Sequence, residues 1–135
     1  METHTVKNGV TSPYTGGQVY LVEGDEVQTF RGEDFNVHVR YYECKDTGRR
    51  FTSEEQDEQL FDDLYRQYRT RHGIPSPDEM RETRERFGLS CRQMSEMAGF
   101  GQDRWAKYEH GLMPSESDGR RIAAMGKHEN ILQLG

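Results

Sequence analysis

Residues 89–111 read LSCRQMSEMAGFGQDRWAKYEHG, and this stretch decides the organisation of the second half of the chain. Ser90 is a good N-cap residue and predicts a helix over 91–98. That helix presents Met94, Met97 and Ala98, and both methionines are expected in a core. Gly99-Phe100-Gly101 predicts a tight turn. A second helix follows over 102–110 and stops at Gly111. Trp105 and Tyr108 fall on its inward side, while Gln102, Asp103, Arg104 and Lys107 face outward. Two short helices around a glycine turn are the pattern of a DNA-reading helix-turn-helix, whose second helix lies in the major groove. Glutamine can read adenine there, and arginine or lysine can read guanine. An ordinary helical hairpin with a solvated outer face satisfies the same spacing.

Working outward, Ser76 caps a helix that starts at Pro77, a residue favoured at a first helical position. It carries Met80, Arg84 and Phe87 on one side and ends at Gly88. Pro114-Ser115 opens a further helix over about 116–126, followed by a final segment 127–134. Ile122, Met125, Ile131, Leu132 and Leu134 supply more apolar surface than so small a lobe needs, which predicts a dimer made by this lobe; plain core of the lobe itself satisfies the same residues.

The first half reads differently. Residues 1–11 are polar and resemble a flexible tail. Ser12-Pro13-Tyr14-Thr15-Gly16-Gly17 is a compact turn. Period-two alternation then predicts antiparallel strands over about 18–23, 26–31 and 35–43, punctuated at Gly24-Asp25 and Gly32-Glu33. Val19 and Leu21 share one face; Phe35, Val37, Val39 and Tyr41 share one face of the later strand. Cys44-Lys45-Asp46-Thr47-Gly48 is a second turn, and Arg49 to Phe51 a short strand. A helix over 53–72 follows, with capping boxes offered by Thr52 with Glu55 and by Ser53 with Gln56. Its apolar face, Leu60, Phe61, Leu64, Tyr65 and Tyr68, is expected to cover the sheet. His72-Gly73 and Ile74-Pro75-Ser76-Pro77 mark a boundary. The fold class is therefore α+β, with a tail at 1–11, a small sheet lobe with its linker helix at 12–73, and an all-α domain at 74–135.

Composition narrows the function. The chain has 135 residues, 31% of them charged, and a net charge of -6. Residues 1–74 hold 9 Lys+Arg against 14 Asp+Glu, giving -5; residues 75–135 hold 9 against 10, giving -1. The acidic half suits a basic protein partner, and the near-neutral half still clusters its arginines. No apolar run approaches the ~18 residues of a membrane span. With no basic-then-apolar leader pattern, a cytoplasmic location is expected. Two cysteines, Cys44 and Cys91, make neither a disulfide framework nor a Cys-only zinc site.

Leu89-Ser90, Gly99-Phe100-Gly101, Tyr108-Glu109-His110-Gly111 and Pro114-Ser115 together resemble an XRE-family helix-turn-helix, and residues 74–125 resemble more closely the C-terminal half of MqsA-type antitoxins. That family opens with a zinc domain bearing two Cys-x-x-Cys-Gly knuckles. The matching turns here begin at Ser12 and Cys44, and the ligand positions hold Ser12, Thr15, Cys44 and Thr47. Neutral hydroxyls are poor zinc ligands. The resemblance thus implies a zinc-ribbon-like fold without its metal, the hydroxyls bonding one another and nearby backbone groups. It further implies a homodimer that binds a palindromic operator in double-stranded DNA, represses its own operon and neutralises a partner toxin. Gln102, Arg104 and Lys107 would touch bases and phosphates. Asp103 would accept from cytosine N4, and Ser90, Arg92 and Gln93 would hold phosphates at the positive end of their helix. Glu109 is expected to be structural.

Other candidates carry less. His38, opposite Val37 and Val39 on its strand, reads as a cross-strand surface residue. Cys91 begins a helix but has no base beside it. The acidic run Glu54 to Asp63 suits a helix N-terminus. Gly99-Phe100-Gly101 lacks the lysine of a phosphate loop. No constellation supports an enzyme, and no cofactor is expected. The rival reading is a protein-interaction or dimerisation module that does not bind DNA.

Overall fold

Two twelve-residue strands form the centre of the first half, and their pairing is set by a two-residue turn. The computed structural model describes the backbone of residues 2–134 and the side chains of residues 2–126. Strands β2 (Val19–Phe30) and β3 (Glu33–Cys44) pair antiparallel from Phe30↔Glu33 at the turn to Val19↔Cys44 at the open end. Arg31 and Gly32 connect them with φ of 51° and 76°. Two consecutive positive φ values match the twist of a tight hairpin, which is why a glycine stands at one of them. The arginine lays its guanidinium 5.0 Å over the Phe30 ring.

Three expectations change here. Gly24-Asp25 does not interrupt the strand: Gly24 is buried inside β2, opposite Val39, where a missing side chain lets the ladder continue. Val22, fully buried, takes the core position expected of Leu21, which is half-buried; Val22 faces Tyr41 across the ladder. By the period of two, Val19 and its partner Cys44 then fall on the other face. The stretch read as a flexible tail contains β1 (Thr3–Lys7), paired antiparallel with β2 from Thr3↔Glu23 to Lys7↔Val19. All five of its residues are exposed, so burial imposes no alternation on its sequence. The Glu2 carboxylate before it accepts hydrogen bonds from the Tyr41 hydroxyl at 2.8 Å and the Arg50 guanidinium at 3.1 Å. β4 (Arg50–Phe51) pairs with Tyr42 and Glu43, giving the order β1-β2-β3-β4.

Helix α1 (Glu54–His72) starts with the Ser53 box: the Ser53 amide donates to Gln56 Oε1 at 3.0 Å, and the Gln56 amide to Ser53 Oγ at 3.2 Å. Its first part lies along β3. The His38 amide donates to Asp63 at 3.3 Å, Arg40 to Gln59 at 3.2 Å, and Phe30 packs 5.5 Å from Tyr65. Leu64 joins Val22, Phe35, Val37 and Val39 among the buried residues. Phe61, expected on the covered face, is 47% exposed and stacks on Tyr65 instead. The molecule divides into two compact units, residues 1–65 and 66–135, so the division falls within α1.

The second unit is helical: α2 (Pro77–Arg86), α3 (Cys91–Ala98), α4 (Arg104–Glu109) and α5 (Glu116–Leu134). α5 is continuous through Gly126, where a break was expected. Met80, Met94, Phe100, Trp105, Tyr108 and Ile122 form its core, with Leu89, Cys91, Ala98 and Met125 against it. Met97, expected in that core, is 66% exposed; of the two readings open for Ile122, dimer surface or core, its 2% exposure fits the core. Ile131, Leu132 and Leu134 lie outside the described side chains. No helix of the described residues is long and apolar enough to cross a membrane.

Candidate nucleic-acid interface

α3 ends where Gly99 takes a left-handed φ of 75°, and Arg121 of α5 donates to the Ala98 and Gly99 carbonyls at 3.3 and 3.2 Å. The left-handed cap turns the chain without a Cβ clash. Phe100 then plugs the core, 5.8 Å edge-on from Tyr108. α4 is seated on α3 by the Trp105 amide, which donates to the fully buried Ser95 hydroxyl at 3.0 Å. Trp105 and Tyr108 point inward as their spacing required.

α4 is shorter than expected. It begins at Arg104, so Gln102 and Asp103 belong to the turn, and Asp103 makes no side-chain capping bond. All seven residues singled out for DNA are exposed: Ser90, Arg92, Gln93, Gln102, Asp103, Arg104 and Lys107. They are not equivalent. The Ser90 hydroxyl accepts from the Gln93 amide at 3.1 Å, and Gln93 Oε1 accepts from the Ser90 amide at 2.8 Å, so these two side chains form a capping box for α3. Arg92 lies 3.6 Å from Glu96 one turn on, an exposed pair of small energy. Arg104 Nη1 donates to Asp118 of α5 at 3.1 Å. Lys107 projects from the middle of α4.

Below this surface, Glu109 is structural. Arg84 Nε and Nη2 donate to its two carboxylate oxygens at 2.7 and 3.1 Å, and the Cys91 thiol donates at 3.3 Å. Burial pushes the Glu109 carboxyl up, but the Arg84 fork and the Cys91 bond outweigh it and hold the group below its ordinary value. Cys91 shows the reverse: burial, then its bond to Glu109, raises its thiol, which makes it a poor nucleophile.

Ser12, Thr15, Cys44 and Thr47, in two turns of the first unit, also come together. The Ser12 hydroxyl accepts from the Tyr14 and Thr15 amides at 3.1 and 3.3 Å. Thr15 Oγ1 lies 3.7 Å from Cys44 Sγ and donates to Asp46 at 2.7 Å. Thr47 Oγ1 accepts from the Arg49 amide at 3.2 Å. Hydrogen bonds from Ser12 and Thr47, against the opposing effect of burial, lower the Cys44 thiol to about 6. The two turns therefore close on a sulfur through hydroxyls and amides. A Cβ at Gly17 would meet the exposed Asp46 carboxylate of the other turn. No group of three or more His, Cys, Asp or Glu side chains suited to a metal occurs among the described residues. His38 lies on the surface, 3.3 Å from Asp25 directly across the ladder.

Asp118 and Arg121 escaped sequence reasoning. Both side chains act from α5 across ten residues or more, and no local pattern marks them. Compared with known proteins, the chain matches no family model and no curated sequence.

Proposed function

We propose that the chain is a sequence-specific DNA-binding repressor built on an XRE-like helix-turn-helix, the antitoxin of a type II toxin-antitoxin pair of the MqsA kind. The carrying observation is the α3–turn–α4 arrangement: Trp105 and Tyr108 buried, and Gln102, Asp103, Arg104 and Lys107 exposed within six residues. Gln102, Arg104 and Lys107 meet bases and phosphates in the major groove, and Asp103 accepts from cytosine. Arg92 and the start of α3 meet phosphates, with Ser90 and Gln93 fixing that helix end rather than reaching out. The molecule works as a homodimer on a palindrome, because two half-sites one helical turn apart multiply specificity. The first unit is a zinc-ribbon-like sheet that operates without metal, and its acidic surface receives a basic toxin.

Selection from a pool of random-sequence duplexes tests this reading. It should enrich a palindrome with half-sites about 10 base pairs apart, and log affinity should fall linearly with log salt. Failure to enrich any sequence overturns it. The net charge of -6 favours a second reading, a protein-interaction module that leaves DNA alone. That module would show no affinity for any duplex.

A further inference from the structure

Asp118 is an odd residue to find behind a surface meant for DNA. Its side chain is only 6% exposed, it sits in the first turn of α5, and it is an anion where phosphates approach. Its bonds explain how it is tolerated. Oδ2 accepts from the Tyr108 hydroxyl and from Arg104 Nη1, while its backbone amide donates to Ser115 Oγ at 3.1 Å. A buried carboxylate with such partners is fixed in place. Arg104, by contrast, is 55% exposed at the first position of α4, and one of its five N–H donors is committed.

Two physical consequences follow from this pair. An arginine side chain is rich in rotamers, and an exposed one loses that freedom when it binds. With Nη1 held by Asp118, much of that ordering is complete before any ligand arrives. Second, a positive charge 3.1 Å from a fixed negative one attracts distant phosphates weakly. What remains is a set of oriented donors with little net charge.

We propose that Asp118 is a positioning and specificity-determining residue: it turns Arg104 from a general phosphate-seeking cation into a fixed donor that reads a base edge. The inference rests on the DNA-binding reading above and adds a residue outside the two helices to it. In this arrangement the chain gives up non-specific affinity in exchange for discrimination.

The test compares the duplex selected by the wild type with a scrambled duplex of the same composition, using Asp118→Asn in the full chain. The asparagine keeps an acceptor but removes the counter-charge. The ratio of affinities for selected over scrambled duplex should fall roughly tenfold, within the range of one good arginine–guanine contact. Affinity for the scrambled duplex should rise, and its salt dependence should steepen by about one released ion. A merely structural role would weaken binding to both duplexes alike and would not steepen the salt slope. Tyr108→Phe, which removes the other side-chain bond to this carboxylate and keeps its charge, should leave the slope unchanged. If Asp118→Asn does not fold, Arg104→Gln, which leaves Asp118 and its Tyr108 bond in place, carries the test. It should lower the ratio for selected over scrambled duplex by the same roughly tenfold, whereas loss of a general phosphate contact would weaken both duplexes alike. An unchanged ratio or slope in Asp118→Asn, or an unchanged ratio in Arg104→Gln, overturns the inference while the DNA-binding reading stands. A wild type that prefers no duplex overturns both.

Discussion

Arg84 and Glu109, 25 residues apart, meet through two parallel hydrogen bonds of 2.7 and 3.1 Å, with the carboxylate side chain 5% exposed. The pair ties α2 to α4, so the orientation of the helix that carries Arg104 and Lys107 depends on it. Breaking a buried pair leaves an uncompensated charge and costs about 3–5 kcal/mol. Glu109→Ala should therefore lower the unfolding free energy of the chain by that order in urea titrations. A loss below about 0.5 kcal/mol, as for an ordinary surface change, would show that the pair does not hold α4.

The same carboxylate gives a pH dependence. Its folded value lies below the ordinary one, so its contribution is fully present above the usual carboxylate range. That contribution disappears as pH falls through the lowered folded value. Urea midpoints measured from pH 6 down to pH 3 should drop more steeply for the wild type than for Glu109→Gln. Parallel curves would sink the assignment.

At Cys44 the sign leads to a different window. The thiol titrates near 6 in the folded chain and near 8.5 when unfolded. Between those values the unfolded chain binds more protons, so this group's contribution to stability rises with pH and is lost as pH falls through about 6. In Cys91→Ser protein, thiolate absorbance should appear near pH 6, and Ser12→Ala should move it upward. A midpoint near 8.5 in the parent would mean that the hydroxyls do not reach the sulfur.

Convergence of Ser12, Thr15 and Thr47 around Cys44 makes a reciprocal experiment possible. Replacing the three hydroxyl residues by cysteine should create a four-thiolate site that takes up one zinc per chain, because zinc favours tetrahedral sulfur. The wild type should retain well under one. Metal analysis after dialysis checks both; a triple variant that stays empty would show that the turns are not arranged around one centre.

Lys107 separates attraction from reading. It is exposed at mid-helix, and Lys107→Ala should weaken binding to selected and scrambled duplexes by similar factors. The salt slope should become shallower by about one. Equal slopes before and after would remove Lys107 from the phosphate contacts.

Much of the fold was legible because single residues mark its joints. Ser76, Ser90 and Ser53 cap the helices they precede, and Gly88, Gly99 and Gly111 take positive φ where helices were read to end. Strand β3 was readable because burial on one face forces alternation at Phe35, Val37, Val39 and Tyr41. Other features left no such mark. β1 is exposed at every residue, so nothing selects a pattern there. Gln102 and Asp103 share the polarity of α4, so pattern alone runs the helix through them, although it starts only at Arg104. Met97 sits three residues from Met94, but α3 has only eight residues and a narrow covered face, so spacing alone misplaced it. The Arg104–Asp118 pair depends on how α5 crosses α4, which is tertiary information.

The Arg31-Gly32 turn should also set the order in which the first unit assembles. Every β2–β3 pair is reached by zipping outward from that turn, and each step closes a loop only slightly larger than the last. Such local pairing forms on the order of microseconds. Joining β1 requires closing the whole 8–18 connection first, and the reward is a single exposed edge. Folding should therefore nucleate around Thr29 and Asp34, whose side chains already bond at 2.7 Å beside the turn. Substitutions there should slow refolding, whereas substitutions in β1 should mainly speed unfolding.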